Sequence, residues 1–488
     1  MLFNSIEFAI FFPIVFLLYW FVFNKNIKAR NIFLVVVSYV FYGWWDWRFL
    51  SLIVISSFVD YFVGLQLDKT DENRKRKYLL LISIFVNLGF LGFFKYFNFF
   101  IDNFAEAFTL LGMPFNKPTL NVLLPVGISF YTFQTMSYSI DVYRKKMTAT
   151  KDLAAFFAYV SFFPQLVAGP IERAINLLPQ FNEKKTFDYT QAADGMRQIL
   201  WGFFKKIVIA DNSAVYVKEI FQNYTDYSGS TLFLGAIFFA FQIYGDFSGY
   251  SDIAIGTARL FGFQLRQNFA FPYFSRDIAE FWRRWHISLS SWFKDYVYIP
   301  LGGSRVGKWK AIRNTFIIFI VSGFWHGANW TFIIWGALNA IYFLPIMLAK
   351  RNRKNIEVAA EGKLLPNLKE IFQIGTTFFL TIIAWVFFRA ESVSKAFDYL
   401  KIMFSKTLFH ATRVESTHEI SQAISQTTLI GLIFFMLVFE WFNRSKQHGL
   451  EKLNDFHFVI RWSLYVFIAL LIMFAGNFSR TEFIYFAF

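Results

Sequence analysis

The stretch IEFAIFFPIVFLLYWFVF, residues 6–23, carries one charged side chain, Glu7, and is long enough to cross a bilayer core as a helix. Similar apolar runs recur along the chain, at Ile32–Trp45, Tyr78–Phe94, Leu232–Tyr244, Ile371–Phe388, Leu429–Glu440 and Trp462–Phe474. Of all residues, 56% are hydrophobic and only 17% are charged, against about 25% in a typical soluble domain. We therefore predict an all-α polytopic integral membrane protein with roughly 10–12 transmembrane helices.

The basic residues lie in short loops between the apolar runs, at Lys25–Arg30, Lys69–Lys77, Arg144–Lys151, Arg305–Arg313 and Lys350–Lys354. Basic loops of this kind stay on the cytoplasmic side of a membrane, and the first three place the N-terminus outside. The formal net charge of +15 therefore reflects membrane topology and does not indicate nucleic-acid binding. Because Met1–Ser5 lacks the basic segment of a cleavable signal peptide, we expect residues 6–23 to remain as the first span.

Proline, glycine and charged residues interrupt the apolar pattern between positions 152 and 310, at Phe163-Pro164, Ala168-Gly169-Pro170, Lys205-Lys206 and Gly245-Asp246. Irregular backbone is tolerated at membrane depth only where protein or a water-filled cavity surrounds it. We predict one membrane-embedded domain over residues 1–488. It would have N-terminal spans in 1–150, a core of re-entrant or interfacial helices around a cavity in 151–345, and further spans with polar loops in 346–488.

Two of the six histidines lie in apolar sequence, His286 in FWRRWH (281–286) and His326 in GFWHG (323–327). An ionisable side chain in such a segment requires a function or a partner. Burial disfavours the imidazolium, so a buried His326 would be neutral near pH 7 and could accept a proton from an attacking hydroxyl. The alternative is a structural histidine that is hydrogen-bonded to a neighbouring helix.

The segment NFAFPYFSRDIAEFWRRWHISLSSWFKDYVYIPLGGSR, residues 268–305, contains the signals of a helix start and a helix end. Ser275 is predicted to cap the helix, and Asp277 and Glu280 suit the positive end of its dipole. Pro300 and the two glycines after it are predicted to end the helix.

Along this predicted helix, Glu280 and Arg284 are spaced for an i,i+4 ion pair, and Arg283 and His286 share a face. Two interpretations of the helix stay open at this point. It could lie at the membrane surface, with its arginines touching lipid phosphate, or it could be a donor-binding element near an active site.

The segment YGDFSGYSD, residues 244–252, places Asp246, Gly249 and Tyr250 on one helical face, whereas Asp252 points elsewhere. The two acids do not form a paired-carboxylate site, so we expect close helix packing around glycine and a bond from Asp246 to a neighbour. The Walker, HExxH and GxSxG motifs are absent. The lack of cysteine excludes disulfides, thiolate metal sites and a cysteine-linked acyl intermediate, and no metal-ligand spacing is present.

Several long motifs, in order along the chain, resemble the membrane-bound O-acyltransferase family, and most closely its bacterial branch that acetylates alginate and similar polysaccharides. The motifs are LLPVGISFYTFQTMSYSIDVYR (123–144), SFFPQLVAGPIER (161–173), FQIYGDFSGYSDIAIG (241–256), the His286 window and SGFWHGANWTFIIWG (322–336). The resemblance therefore covers the chain from about position 120 to about position 340.

The resemblance implies a ring of helices around a funnel or tunnel, with His326 as general base or acyl relay and His286 as a second active-site residue. An acyl group from acetyl-CoA or another acyl thioester would reach the cytoplasmic face and meet its acceptor, an exported polysaccharide, through the tunnel. No bound cofactor or metal is implied. The candidate donor- or substrate-binding residues are Arg283, Arg284, Trp285, Trp325 and Asn329, of which the two arginines could hold the donor phosphates of acetyl-CoA.

The same resemblance implies a multi-pass protein of the bacterial cytoplasmic membrane. It also implies a separate extracytoplasmic acetyltransferase as a partner that completes the transfer. One departure from the branch is Asn339, which stands near the place of a third histidine, so we assign no acid–base role there.

Three alternatives remain at this stage. The teichoic-acid D-alanylation branch shares the histidine pair, although YIPLGGSR (298–305) resembles the polysaccharide-acetylation branch instead. A transporter or channel would also explain broken helices and charges within the membrane, but it predicts inverted repeats, which the sequence lacks. A structural membrane subunit would allow His326 to be replaced without loss of acyl transfer.

Overall fold

The computed structural model describes residues 1–113, 123–412, 414, 420 and 423–478, and every regular element in these ranges is helical. Residue contacts group the chain into two units, Met1–Gly195 with Thr257–Arg266 and Met196–Gly256 with Gln267–Phe488. The predicted all-α fold class is confirmed. The assignment of one membrane domain with sections 1–150, 151–345 and 346–488 stays a prediction.

In the first unit, the apolar runs form long helices. The helix α1 continues as a π-helical turn to Phe23, and a 3₁₀ turn at Trp47–Phe49 separates α2 from α3. The helices are α1 (Ile6–Leu18), α2 (Ile27–Asp46), α3 (Leu50–Lys69), α4 (Asn73–Leu91), α5 (Phe97–Leu110), α6 (Ile128–Tyr143), α7 (Leu153–Ser161), α8 (Phe163–Leu166), α9 (Ala174–Phe181) and, starting in this unit, α10 (Tyr189–Phe203).

The segment after α7 is irregular because it contains proline and glycine residues. Pro164 lies in the first turn of the short helix α8, where a missing N–H is tolerated. The segment then buries Glu172, which is 1% exposed and accepts a hydrogen bond from the backbone N–H of Arg266. Burial raises the pKa of the Glu172 carboxyl to about 7, although the Arg266 N–H partly offsets this effect.

The second unit contains the helices that carry both candidate histidines. They are α11 (Asp211–Gln222), α12 (Gly229–Leu260), α13 (Ile278–Arg284), α14 (Ile287–Phe293), α15 (Lys308–His326), α16 (Trp330–Leu348), α17 (Leu368–Arg389), α18 (Val393–Met403), α19 (Gln426–Phe442) and α20 (Phe458–Ala475). A π-helical segment at Phe204–Ala210 links α10 to α11, and another at Lys294–Tyr298 follows α14. These two π-helical segments contain charged residues that interrupt the apolar sequence, Lys205-Lys206 and Lys294-Asp295.

Seven helical stretches in the described ranges are long and apolar enough to cross a membrane, against the roughly 10–12 spans expected from the sequence. One of the seven contains both α2 and α3, whereas α19 is apolar but shorter. Large apolar side chains on these stretches point outward, for example Phe85 and Phe474, which are 79% and 77% exposed. Such surfaces suit contact with lipid, and the chain is a multi-pass membrane protein.

Candidate functional site

His326 is the last residue of α15, and its side chain is buried, with 3% of its surface exposed. Its imidazole lies edge-on to Trp335 of α16 and Phe388 of α17, with ring centroids 5.2 and 5.3 Å away. Three helices therefore enclose the ring, and the predicted burial in apolar surroundings is confirmed.

Glycines allow α15 and α16 to pack closely beside His326. A Cβ atom added at Gly323 would lie 2.2 Å from the carbonyl oxygen of Phe332, and one at Gly336 would lie 2.4 Å from that of Phe319. Neither carbonyl can move without displacing a helix. The two glycines therefore let α15 and α16 approach closely, and this packing holds Trp335 against the imidazole.

The continuous helix predicted through the His286 window is wrong, because the helix breaks at His286. This residue lies between α13 and α14 in the left-handed region, with φ 44° and ψ 55°. The cap of α13 is Asp277 rather than Ser275, and its Oδ1 accepts from the backbone N–H of Glu280 at 2.7 Å. Since α13 ends before His286, Arg283 and His286 do not share a helical face.

Backbone hydrogen bonds from a neighbouring segment hold this break in place. The N–H of Ile287 donates to the carbonyl of Asn268, and the N–H of Ala270 donates to the carbonyl of Arg284, each at 2.9 Å. A left-handed residue other than glycine is strained by about 1–3 kcal/mol and persists only where its surroundings fix it. The fixed break directs the His286 side chain into the protein, where it is 1% exposed.

Asn268 also fixes the tautomer of His286. Its side-chain nitrogen donates to Ser251 Oγ at 3.2 Å, so its Oδ1 is the atom that faces His286 Nδ1 at 3.1 Å. The same Oδ1 accepts from the backbone N–H and the hydroxyl of Ser288 at 3.2 and 2.9 Å. The network assigns the proton of the neutral imidazole to Nδ1, which leaves Nε2 as the basic atom. Burial lowers the pKa of His286 to about 3, so the ring is neutral at physiological pH.

Trp325 brings the two histidines into one aromatic cluster. Its ring centroid is 4.9 Å from the His326 imidazole and 6.2 Å from the His286 imidazole. Phe247 of α12 meets the other side of His286 edge-on at 4.6 Å. Two residues that are 40 positions apart in the sequence thus share one buried site, although their catalytic roles stay a prediction.

The predicted ion pair between Glu280 and Arg284 is confirmed, with nitrogen and oxygen 2.8 Å apart. Glu280 is 1% exposed and also pairs with Arg276 at 3.0 Å. The two guanidinium groups replace the water that the buried carboxylate has lost. The ion pair with Arg276 also connects α13 to the segment before it. Arg284 therefore has a structural role in addition to the donor-binding role that the sequence suggests.

Arg283 is the more accessible of the two arginines. Its guanidinium donates to the carbonyl oxygens of Asn352 and Asn355 at 2.7 and 2.6 Å, while its side chain stays exposed. These contacts place it beside the basic loop Lys350–Lys354. A role in holding donor phosphates is compatible with this exposed position and stays a prediction.

Two further candidates, Trp285 and Asn329, have clear packing roles. Trp285 is 1% exposed, and its ring centroid lies 5.1 Å from that of Trp385. Asn329 caps α16 by accepting from the N–H of Thr331 at 3.0 Å, and its side-chain nitrogen donates to the carbonyl of Glu391. Their assignment as substrate-binding residues stays a prediction.

Asn339, which stands near the place of a third histidine, is part of the framework. Its Oδ1 accepts from the indole N–H of Trp282 at 3.3 Å, and its nitrogen donates to the carbonyl of Trp335 at 2.8 Å. These contacts join α13 to α16 beside the His326 enclosure.

The structure also contains a buried ion cluster that the sequence analysis missed. Lys206 pairs with Asp211 and Asp246, each at 2.7 Å. The predicted bond from Asp246 to a neighbour is thereby confirmed. Gly249 packs as expected, since an added Cβ would lie 2.7 Å from the carbonyl oxygen of Gly202.

The adjacent Lys205 forms a second buried ion cluster. Its Nζ lies 2.6 Å from Asp252 and 2.9 Å from Ser248 Oγ, with Glu440 at 4.0 Å. The signal that could have predicted these pairs is the presence of Lys205-Lys206 and Glu440 in apolar sequence, where charges require partners. The ion pairs anchor α12, the helix that presents Phe247 and Ser251 to the His286 site.

Among the residues that the structure describes, no three His, Asp or Glu side chains come together in a way that could hold a metal ion. The cavity expected within 151–345 stays a prediction.

Comparison with known proteins agrees with the motif resemblance. Residues 145–388 match the membrane-bound O-acyltransferase family. The chain is 42% identical to the probable alginate O-acetylase AlgI of Pseudomonas aeruginosa over 407 residues, which cover 83% of this chain and 75% of the relative.

Two other relatives carry different names. The chain is 33% identical to the peptidoglycan O-acetyltransferase of Helicobacter pylori over 530 aligned positions, which cover 100% of this chain and 98% of the relative. It is 29% identical to the teichoic acid D-alanyltransferase of Bacillus subtilis over 239 residues, which cover 46% of this chain and 60% of the relative. Because the family match and the long alignments extend over both histidine windows, the chain belongs to the membrane-bound O-acyltransferase family.

Proposed function

We propose that this protein moves an acyl group, namely acetyl, from a cytoplasmic activated donor across the membrane toward hydroxyl groups of an exported polysaccharide. The observation that carries the proposal is the enclosure of His326 by Trp335 and Phe388, with Trp325 joining it to His286. Similarity to relatives named for O-acetylation of alginate and of peptidoglycan supports the choice of acetyl group and of a polysaccharide acceptor.

The proposed reaction needs one base. His326 would accept the proton of the acceptor hydroxyl as its oxygen attacks the thioester carbonyl. The carbon–sulfur bond then breaks, and the departing thiolate takes up the proton, so that an ester and a thiol are formed. In the relay variant, an imidazole nitrogen of His326 first receives the acyl group and releases the thiol, and the acceptor hydroxyl then displaces the imidazole.

His286 would act beside His326 through its unprotonated Nε2. A ring whose pKa is about 3 remains neutral in the cell, so it can position a hydroxyl or a water as a hydrogen-bond acceptor. It would not supply a positive charge to the transition state. The Asn268 network supports this role because it holds the tautomer constant.

The donor is proposed to approach from the side of the basic loop Lys350–Lys354, which the positive-inside rule assigns to the cytoplasm. Arg283 lies beside this loop and would meet the phosphates of acetyl-CoA, with Arg284 behind it. A comparison of apparent donor affinity between the parent and the Arg283→Ala and Arg284→Ala variants tests this assignment. Unchanged affinity in both variants would contradict it.

The proposed setting is the bacterial cytoplasmic membrane, with the N-terminus outside and a separate extracytoplasmic acetyltransferase as partner. The distribution of basic loops supports the orientation, and the resemblance to the polysaccharide-acetylation branch supports the partner. Transfer of a D-alanyl group to teichoic acid is the second candidate, and it is supported by the shorter match to the Bacillus subtilis relative.

The test is the amount of ester-linked acetate on the exported polysaccharide of cells that make the parent or the His326→Ala variant at equal membrane expression. We expect the variant to lose the acetate, because alanine removes the proposed base. His410→Ala, at an exposed site outside the aromatic cluster, is the matched control and should keep the acetate. Undiminished acetate in the His326 variant would refute the proposal, and loss of D-alanyl esters instead would favour the second candidate.

A further inference from the structure

The polar segment between α16 and α17 contacts α13 and is held there by arginine side chains. Residues 350–364 of this segment, which we call the strap, form turns but no helix or strand. Four arginines from other parts of the second unit donate hydrogen bonds to the backbone carbonyls of the strap, namely Arg276, Arg283, Arg284 and Arg444. Because the acceptors are backbone carbonyls, these arginines fix the path of the chain.

The first part of the strap is fastened to α13. The two terminal nitrogens of Arg283 donate to the carbonyl oxygens of Asn352 and Asn355, at 2.7 and 2.6 Å. The side-chain nitrogen of Asn355 donates to Asp277 Oδ2 at 2.6 Å. Arg283 belongs to the helix that ends just before His286, so this part of the strap is attached to the element that leads to the histidine site.

The second part of the strap is fixed more firmly, by Arg444 after α19. This guanidinium donates to the carbonyls of Ala359, Ala360 and Lys363, at 2.7, 2.7 and 2.6 Å. It also lies over the Trp441 ring, 4.4 Å from the centroid. Since Ala359 and Ala360 are themselves buried, this part of the strap is its anchor.

The bonds from Arg283 are the ones that an anionic ligand can replace. A guanidinium binds a phosphate more strongly than a neutral carbonyl, because the phosphate is charged and presents several oxygens to the planar fork. The Arg283 side chain is exposed, so a phosphate can reach it. The strap also brings four basic residues near Arg283, in the stretch Lys350-Arg351-Asn352-Arg353-Lys354. Their charges repel Arg283, whereas a phosphate between them would be attracted to both sides.

We infer that the strap is a lid over the donor site, anchored at residues 359–363 and latched at residues 352–355, and that donor phosphates open it by taking Arg283 from the carbonyls. The inference rests on the proposed function for the identity of the donor as a phosphate-bearing thioester. In the closed protein Arg283 is the latch, and in the donor-bound protein the same guanidinium is a phosphate ligand. The apparent donor affinity therefore includes the free energy of opening the strap.

Thiols introduced into this cysteine-free chain test the lid directly. In the full-length Asp277→Cys/Asn355→Cys protein in detergent, a short bifunctional methanethiosulfonate joins the two thiols and holds the strap closed, and dithiothreitol reverses the link. The probe is desulfo-coenzyme A, which keeps the phosphates of coenzyme A and has no thiol. We expect the cross-linked protein to bind this probe about tenfold or more weakly than the same protein after dithiothreitol, because the open form is no longer populated. Methyl methanethiosulfonate modifies both thiols without joining them, and as the control it should change the affinity by less than about threefold.

The latch is tested without a donor by the rate at which N-ethylmaleimide labels Asn352→Cys. Asn352 is half-buried, and it meets Arg283 through its backbone carbonyl, which cysteine keeps. Adding Arg283→Ala should raise the rate about tenfold or more, because local opening of the strap becomes easier. Lys354→Ala is the matched control, since it removes one exposed positive charge from the strap and leaves the Arg283 bonds in place. With Arg283 present, desulfo-coenzyme A should raise the rate, and phosphatidylglycerol added to the detergent should not.

The possible failures separate the lid from the donor assignment. Equal affinity of the cross-linked and the reversed protein for the probe would overturn the lid and leave the donor assignment in place. Equal labelling rates in the Arg283→Ala and Lys354→Ala backgrounds would also overturn it, because Arg283 would then not be the latch. A higher labelling rate with phosphatidylglycerol alone would assign the latch to a lipid headgroup. If the parent binds no desulfo-coenzyme A, the donor assignment in the proposed function fails, and a lid opened by donor phosphates fails with it.

Discussion

Replacement of Asn268 by alanine tests whether the tautomer of His286 matters for the reaction. The side-chain oxygen of Asn268 accepts from His286 Nδ1–H, from the Ser288 N–H and from the Ser288 hydroxyl, all within 3.2 Å. Alanine removes this acceptor from a site where Asn268 is fully buried. The imidazole then loses the contact that keeps its proton on Nδ1, and Nε2 is no longer held as the basic atom.

The expected magnitudes follow from these contacts. Three buried donors lose their acceptor, and at about 1 kcal/mol each the protein loses about 3 kcal/mol of stability. The rate of acetyl transfer should fall by roughly 10–100-fold, which is at the lower end of the contribution of a positioned acid–base group. Apparent affinity for the donor should stay close to that of the parent, because the donor-side arginines are not touched.

The assay compares acetyl-transfer rate and apparent melting temperature of the purified parent and Asn268→Ala protein at equal concentration in detergent. Ser251→Ala is the control, because it removes only the partner of the Asn268 nitrogen and leaves the bond to His286. Asn268→Asp adds a third reading: its carboxylate keeps the acceptor and raises the pKa of His286. A full rate in a folded Asn268→Ala protein would refute the argument that the tautomer is needed.

Two further predictions concern stability. Gly323→Ala should lower membrane expression and the apparent melting temperature, because its Cβ would lie 2.2 Å from a backbone oxygen. Gly375→Ala is the control and should be neutral or stabilising, because no atom lies within 4 Å of its added Cβ. Equal behaviour of the two variants would contradict this prediction. Burial raises the pKa of Glu172 to about 7 from an unfolded value near 4.5, so the folded state binds its proton more tightly and stability falls by about 3 kcal/mol as pH rises from 4.5 to 7. In Glu172→Gln this decline should be absent, and melting curves of the variant and parent between pH 4.5 and 8 that stay parallel would contradict it.

Features that depend on neighbouring residues could be predicted from the sequence. The apolar run 6–23 forms a helix of the expected length because its composition alone favours the bilayer. The Glu280–Arg284 pair could be predicted because the two residues are one helical turn apart. The family could be recognised because its long motifs occur in order around the two histidines.

Features that depend on contacts between distant residues could not be predicted in the same way. The ion pair between Lys206 and Asp246 joins positions 40 residues apart, and the sequence shows only that each charge needs a partner. The close approach of Gly202 and Gly249, which brings the two helices together near this pair, is visible only in the packed structure. A charged residue within an apolar run therefore predicts that a partner of opposite charge lies nearby in the folded protein, but it does not identify that partner.

The break at His286 shows why the candidate site itself lay beyond local patterns. The i,i+4 spacing of Glu280 and Arg284 favours one continuous helix, and a left-handed histidine opposes local preference. Tertiary bonds from the Asn268 segment to both sides of the break outweigh that preference. In a continuous helix His286 would share the face of the exposed Arg283, so burial of the imidazole beside Trp325 requires the break. A locally unfavourable backbone that is held by a buried polar residue is expected at a functional site, and it is the strongest structural reason to place His286 in the reaction.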